Sequence, residues 1–198
     1  MTTIVVFSDV HGNTPALEAL FAELGSIRPD IVVNLGDLAS GGIDPRGTLD
    51  LLRTRPDIVT IRGNHERYLL EREAHTVGGS DWLAAGALRP EDRQWLASLP
   101  ASREIVPGML AVHGIPGDDE AYLTETVESG GAREATREEI QERLGVEGAS
   151  ATVILCGHSH LQRARYLPGQ IVVNPGSLGL PAFAADSPHP HRMEAGTP

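Results

Sequence analysis

The chain has 198 residues, 40% hydrophobic and only 4% aromatic, which fits one domain with a core built from Val, Leu, Ile and Ala. All sixteen basic residues are arginine, so a Walker-type phosphate loop, a Schiff base and a lysine general base are excluded together. The formal net charge of −11 argues against duplex DNA or an anionic membrane as partner, since both are bound through basic residues that neutralise phosphate.

No stretch approaches the ~18 apolar residues of a membrane span. The chain enters an apolar run at Ile4 with no charged leader, so the expected location is the cytoplasm with no membrane partner. The single cysteine, Cys156, cannot form an intrachain disulfide or a thiolate metal site and reads as a small buried hydrophobe.

In chain order, Ile4-Val5-Val6-Phe7 predicts a buried strand. Thr14 reads as the N-cap of a helix with Pro15 at its first position, and Leu17, Leu20, Phe21 and Leu24 form one apolar face ending at Gly25. A second unit runs from Ile31-Val32-Val33 through a glycine-rich loop at 36–47 into a helix over 49–53. A third runs from Ile58-Val59-Thr60-Ile61 into a helix starting near Glu66. This repetition of strand and helix implies a parallel sheet. Between 76 and 107 the strand rhythm is lost, and helical signals at 81–85 and 90–99 predict a helical cap inserted into a single domain of residues 1–198. Met109-Leu110-Ala111-Val112 restores a strand; in the acidic stretch that follows, Thr136 with Glu139 forms a capping box that opens a helix to about Leu144. Further strands are predicted at 152–156 and 171–173, and the tail over 182–198, small, Pro-rich and aperiodic, is expected to be disordered. His189 and His191 fall in that tail and His75 follows no strand, so none of the three is assigned to a site.

Seven potential metal ligands sit in five loops, each directly after an apolar run: Asp9 and His11, Asp37, Asn64, His113, then His158 and His160. In open α/β sheets ligands bind outside the carboxyl ends of the strands, so loops far apart in sequence can converge on one rim. Asp9 and His11 stand two residues apart, which lets both lean toward one ion, and His158 and His160 repeat that spacing. Gly36 permits close approach at Asp37, whose two carboxylate oxygens can bridge two metals. Singly, each residue has an ordinary explanation, an Asp as a turn or cap residue above all. Together they have the layout of a two-metal hydrolase, and nitrogen and oxygen ligands without sulfur suit divalent manganese, iron, zinc or nickel better than magnesium or calcium.

Asp9-Val10-His11-Gly12-Asn13, Gly36-Asp37, Gly63-Asn64-His65-Glu66, His113-Gly114 and Gly157-His158-Ser159-His160 resemble, in order and over most of the chain, the motifs of the calcineurin-like metallophosphoesterase superfamily. Asn174-Pro175-Gly176-Ser177 and residues 8–20 resemble its compact bacterial and archaeal phosphodiesterase group. Arg62-Gly63-Asn64-His65-Glu66 is also similar to the serine/threonine protein phosphatases and dinucleoside tetraphosphatases. The Asp-Arg-Gly that follows the second motif in those enzymes is absent, Asp37 leading instead into Leu38-Ala39-Ser40-Gly41-Gly42.

The resemblance implies a four-layer α/β/β/α sandwich, two mixed sheets flanked by helices. It implies two divalent ions, manganese foremost, one held by Asp9, His11, Asp37 and His160 and the other by Asp37, Asn64, His113 and His158, with a bridging hydroxide as nucleophile. His65 matches the family's general acid, Arg62 would clamp a phosphate oxygen, and Asn13 is a weaker candidate for the same task. The expected function is phosphoester hydrolysis, on a diester ahead of a monoester, a phosphoprotein or a dinucleoside polyphosphate. A scaffold that has lost catalysis, like the related subunit of the retromer coat, is disfavoured by the intact ligand set, and a DNA nuclease by the acidic charge. Residues 178–198 leave no room for a strand of normal length, so the second sheet is expected to be small, its edge covered by the tail or by a second copy in a homodimer.

Overall fold

The computed structural model describes residues 2–71 and 79–195. Strands β1 (Ile4–Phe7), β2 (Ile31–Asn34) and β3 (Val59–Thr60) form a wholly parallel sheet in that order. Helices α1 (Thr14–Ile27), α2 (Pro45–Arg53), α3 (Asn64–Glu71), α4 (Gly79–Ala87) and α5 (Pro90–Ser98) belong to this first half. The second half supplies β4 (Ser102–Val106), β5 (Met109–Val112), β6 (Glu125–Glu128), β7 (Gly131–Glu134), α6 (Arg137–Ala149), β8 (Val153–Leu155), β9 (Gln162–Leu167) and β10 (Gln170–Pro175). Its main sheet, ordered β4-β5-β8-β10-β9, is mixed; β6 and β7 pair as a hairpin, as do the closing strands β11 (Ala182–Ala185) and β12 (His191–Glu194).

Alternation along the strands builds the layers. Val33 of β2 and Leu155 of β8 turn into the space between the sheets, where they meet Leu35, Ile61 and Ala111. Their neighbours face outward: Val32 packs with Leu17, Leu49, Leu69 and Leu96 from the helices over the first sheet, and Ile154 packs with Ile140 and Leu144 of α6 over the second. The result is the four-layer sandwich, with only the second sheet mixed. No helix among the described residues is long and apolar enough to cross a membrane. Cys156 is buried, and burial pushes its thiol pKa up.

Several boundaries differ from the sequence expectations. Asn13, not Thr14, caps α1 by accepting from the Ala16 N–H at 3.2 Å, and the helix runs past Gly25 until Arg28 enters the left-handed region. Asp44 opens α2 at Pro45, one turn earlier than the apolar pattern suggests, by accepting from the Gly47 N–H at 2.9 Å. In the stretch expected to be a cap, α4 and α5 join the helical layer through Ala84, Ala85 and Leu96, and residues 102–106 are the edge strand β4. That strand carries Arg103 and Glu104, and a charged edge strand has no apolar run to betray it. His75 lies outside the described residues. Where disorder was expected, the tail forms the β11–β12 hairpin, with Met193 and His191 buried. Among the described residues it pairs with no other strand, so the second sheet still ends at β4 and β9. The Thr136–Glu139 capping box forms as read, with bonds of 3.2 and 2.7 Å.

At the start of α5, Asp92 is fully buried and accepts from the Arg89 N–H at 2.9 Å, from the Arg89 guanidinium at 2.8 Å and from Arg53 at 2.8 Å. The Arg89 bonds hold its carboxyl down to about 2. A depressed carboxylate stabilises the fold above its ordinary value near 3.8 and loses that contribution as pH falls toward 2. Asp92→Asn should therefore cost on the order of 1–2 kcal/mol near neutrality, a figure discounted because both arginines are partly exposed. Urea unfolding should show the gap between wild type and variant shrinking from about pH 7 to about pH 3, and a constant gap would refute the assignment.

Candidate metal centre

Among the described residues, six non-glycine residues adopt positive φ, between 49° and 66°; five are Asp9, His11, Asp37, His158 and His160, and the sixth is the helix-capping Arg28. Such backbone is costly for side-chain-bearing residues and persists where the surroundings over-determine it, commonly at functional sites. Here the bends after β1 and β2 are locked together by Asp9 N–H to Gly36 O at 3.0 Å and His11 N–H to Asp37 O at 2.9 Å.

These bends, with α3 and the ends of β5 and β8, bring the predicted ligands together. Asp9, His11, Asp37 and His160 offer ligand atoms all within 4.8 Å of one another, and so do Asp37, His113 and His158. Asn64 joins the second group through Oδ1, 3.0 Å from His113 Nε2. Both carboxylates are buried, and Asp9 Oδ1 has no hydrogen-bond partner. Buried carboxylates need a counter-charge. An orphan carboxylate oxygen ringed by imidazoles, with no thiolate, suits a divalent metal.

The outer nitrogens of the imidazoles are tethered to backbone carbonyls: His11 Nδ1 to Ser40 O at 2.6 Å, His113 Nδ1 to Leu35 O at 2.8 Å, His160 Nδ1 to Leu180 O at 2.5 Å and His158 Nε2 to Glu120 O at 2.9 Å. Such partners fix the tautomer and aim the free nitrogen inward. Close packing also depends on glycine. A Cβ on Gly63 would stand 2.2 Å from Asp37 Oδ1, and one on Gly157 would stand 2.1 Å from Ser8 Oγ and 2.9 Å from Asp9 Oδ2.

Glu66, fully buried, accepts from the N–H groups of Asp37 at 2.8 Å, Leu38 at 2.8 Å and Gly63 at 2.9 Å, pinning the second ligand loop to the third. Asn174 and Ser177 brace the first and last ligand loops: Asn174 donates to Gly157 O at 2.7 Å and Ser177 to Asp9 O at 2.7 Å.

His65 stands beside the cluster, its Nε2 4.0 Å from Asp37 Oδ2, and its Nδ1 bonds Asp81 Oδ1 at 2.7 Å. Ser40 donates to the same Asp81 oxygen. Asp81, at the start of α4, was not singled out from the sequence, where it is one of several acids opening helices. Burial pushes the His65 pKa down, but Asp37, then Asp81 and Glu66, outweigh it and carry the imidazole up to about 9. His113 behaves alike: burial opposes the charge, while Asp37 and Asp9 raise it to about 10. For His11 and His158 burial wins, and both fall to about 4.

Two predicted residues are not among those lining the metal cavity. Arg62 lines a neighbouring cavity with Arg67, Ser102 and Asp119, which the ligand candidate His113 also borders. Asn13 is occupied as the α1 cap and donates its amide to Gly179 O at 3.0 Å. The metal cavity itself, about 350 Å³, is lined by His11, Asp37, Asn64, His65, His158 and His160 on one side. Ser80, Tyr122 and an apolar group from the tail complete it.

A strand-end cluster of imidazoles and carboxylates between two facing sheets, with a paired histidine at its rim, is the build of a metal-dependent hydrolase. The chain belongs to the calcineurin-like phosphoesterase family, whose model matches residues 2–166, which makes it a metal-dependent phosphoester hydrolase. A metallophosphoesterase from Sphaerobacter thermophilus is similar over 98% of this chain and 89% of its own, with 25% identity and a TM-score of 0.68. A hypothetical protein from Pyrococcus horikoshii shares the fold over 98% of this chain and 88% of its own at 17% identity, with a TM-score of 0.76. The phosphoesterase Yfce from E. coli does so over 91% and 82% at 18% identity, with a TM-score of 0.53. No curated protein matches the chain.

Proposed function

We propose that the protein is a phosphodiesterase using two divalent transition-metal ions, manganese foremost. The observation that carries this reading is that Asp37 belongs to both ligand groups, so one carboxylate can serve two neighbouring ions. Asp9, His11 and His160 complete one set; Asn64, His113 and His158 complete the other. When bound, the ions activate water as the nucleophile and neutralise the phosphate. His65 is the general acid that protonates the leaving oxygen, and Asp81 holds its ring by Nδ1 so that Nε2 faces the cavity. Arg62 and Asn13 are given no part in binding substrate.

Purified protein should hydrolyse a bis-aryl phosphodiester with manganese, lose activity to a chelator and hold close to two ions per chain. Loading should also release protons. Without metal, His113 stays protonated up to about pH 10, whereas a metal ligand must be a neutral imidazole, so apparent affinity should rise with pH. Calorimetry in buffers of different ionisation enthalpy reads that release. No turnover with any transition metal would count decisively against the reading, and binding without proton release would remove His113 from the ligand set.

A further inference from the structure

The metal cavity has two unlike halves. Facing the ligands are Leu180, Phe183, Ala184 and Ala185, and among the described residues no arginine lines it. Phe183 and Ala185 are only partly buried, while Ala184 and Leu180 are exposed, so the wall keeps apolar surface with no protein partner. The wall is nonetheless held in place. Phe183 meets the His160 ring edge-on at 4.6 Å, Leu180 donates its N–H to Ser177 Oγ at 2.8 Å, and Tyr122 bonds His191 of β12 at 3.1 Å. Tyr122 in turn stacks on His158 at 4.7 Å. All of the hairpin lies beyond residue 166, where the family match ends, so this wall belongs to the part of the chain outside that match.

We infer that the C-terminal hairpin, through Phe183 with Leu180, Ala184 and Ala185, is the specificity wall of the site and seats an uncharged aromatic or apolar arm of a small phosphodiester with a single phosphorus. This rests on the phosphodiesterase reading. A second phosphate would lie against apolar side chains with no cation to pair it, and burying an unpaired charge is strongly unfavourable. The volume of about 350 Å³ stands at the lower end of the roughly 300–1,000 Å³ typical of small-molecule sites, which fits a small ester rather than a dinucleoside polyphosphate. Successive ring contacts run from His65 to His11, His160 and Phe183. The acid and the phenyl ring thus end opposite sides of one row, so the leaving arm belongs at His65 and the retained arm at Phe183.

The test uses three p-nitrophenyl phosphodiesters that share the leaving group and carry phenyl, methyl or carboxymethyl as second arm. Manganese-loaded wild type should prefer phenyl to carboxymethyl by at least about tenfold in kcat/KM. Phe183→Ala should collapse the phenyl-to-methyl ratio toward one, and Phe183→Leu should keep most of it. If all three esters fall together in Phe183→Ala with the ratio unchanged, the ring only supports His160 and the inference fails; equal turnover of all arms by wild type overturns it too. Turnover of none of them would sink the phosphodiesterase reading instead. Calorimetric binding of phenylphosphonate against methylphosphonate to the loaded protein then decides the wall separately, since equal affinities would eliminate it.

Discussion

Replacing Asp37 with Asn should remove activity and, on the proposed two-ion site, at least one of the ions in a single step. The carboxylate lies 3.1 Å from His113 Nε2 and 3.8 Å from His11 Nε2 through Oδ2, and its Oδ1 accepts from the His65 N–H at 3.1 Å. Among the described residues, no other is shared by the two ligand groups. An amide removes the charge that balances the ions and turns an N–H₂ toward imidazoles that must stay neutral to bind metal. The loss in kcat should exceed the roughly 10–100-fold typical of removing an outer partner of a ligand. The fold should hold, because Glu66 still pins the backbone N–H groups of residues 37, 38 and 63. Metal analysis beside circular dichroism separates the cases: an Asp37→Asn protein with two ions per chain and near-wild-type turnover would end the shared-ligand assignment.

The cluster of candidate ligands was legible because each member sits where an apolar run gives way to a polar loop, and parallel strands place such boundaries on one rim. The left-handed backbone at five of those residues was not, since neither Asp nor His announces positive φ as Gly does. Edge strands β4 and β9 escaped notice because Arg103, Glu104, Arg163 and Arg165 replace the apolar alternation that marks a half-buried strand. The tail was misread for a related reason: Ala-Phe-Ala-Ala has too little apolar bulk to signal a strand, and its burial comes from packing on His160 and Tyr122, far away in sequence. Arg62 shows a different limit. A position at a strand end fixes the residue but not the side from which its side chain leaves, and with Ile61 turned into the core between the sheets, Arg62 lines a neighbouring cavity that meets the site only at His113. Asn13 illustrates competition, its amide oxygen accepting from the helix terminus and its N–H₂ donating to Gly179 O.

Changing His65 to Ala should lower kcat in proportion to how badly the leaving oxygen needs a proton. For an alkoxide leaving group the loss should be roughly 10²–10⁴-fold, whereas nitrophenolate departs without protonation and should be little affected. Metal content should stay at the wild-type level, because His65 belongs to neither ligand group. Asp81→Asn should act in the same direction and more weakly: it removes the carboxylate that orients Nδ1 at 2.7 Å and helps keep the ring protonated, while the nearby Asp37 remains. The sign follows from the charge. With the Asp81 carboxylate gone, burial opposes the imidazolium with less resistance, so the His65 pKa falls and the alkaline limb of kcat for the alkyl ester should move to lower pH. The Ser40 hydroxyl, which donates to the same oxygen of Asp81, should matter less again, since it reaches His65 only through that carboxylate. Equal losses for alkyl and nitrophenyl esters in His65→Ala would mean that the residue shapes the metal site rather than serving the leaving group. An alkaline limb that stays in place in Asp81→Asn would remove Asp81 from the role of positioning His65.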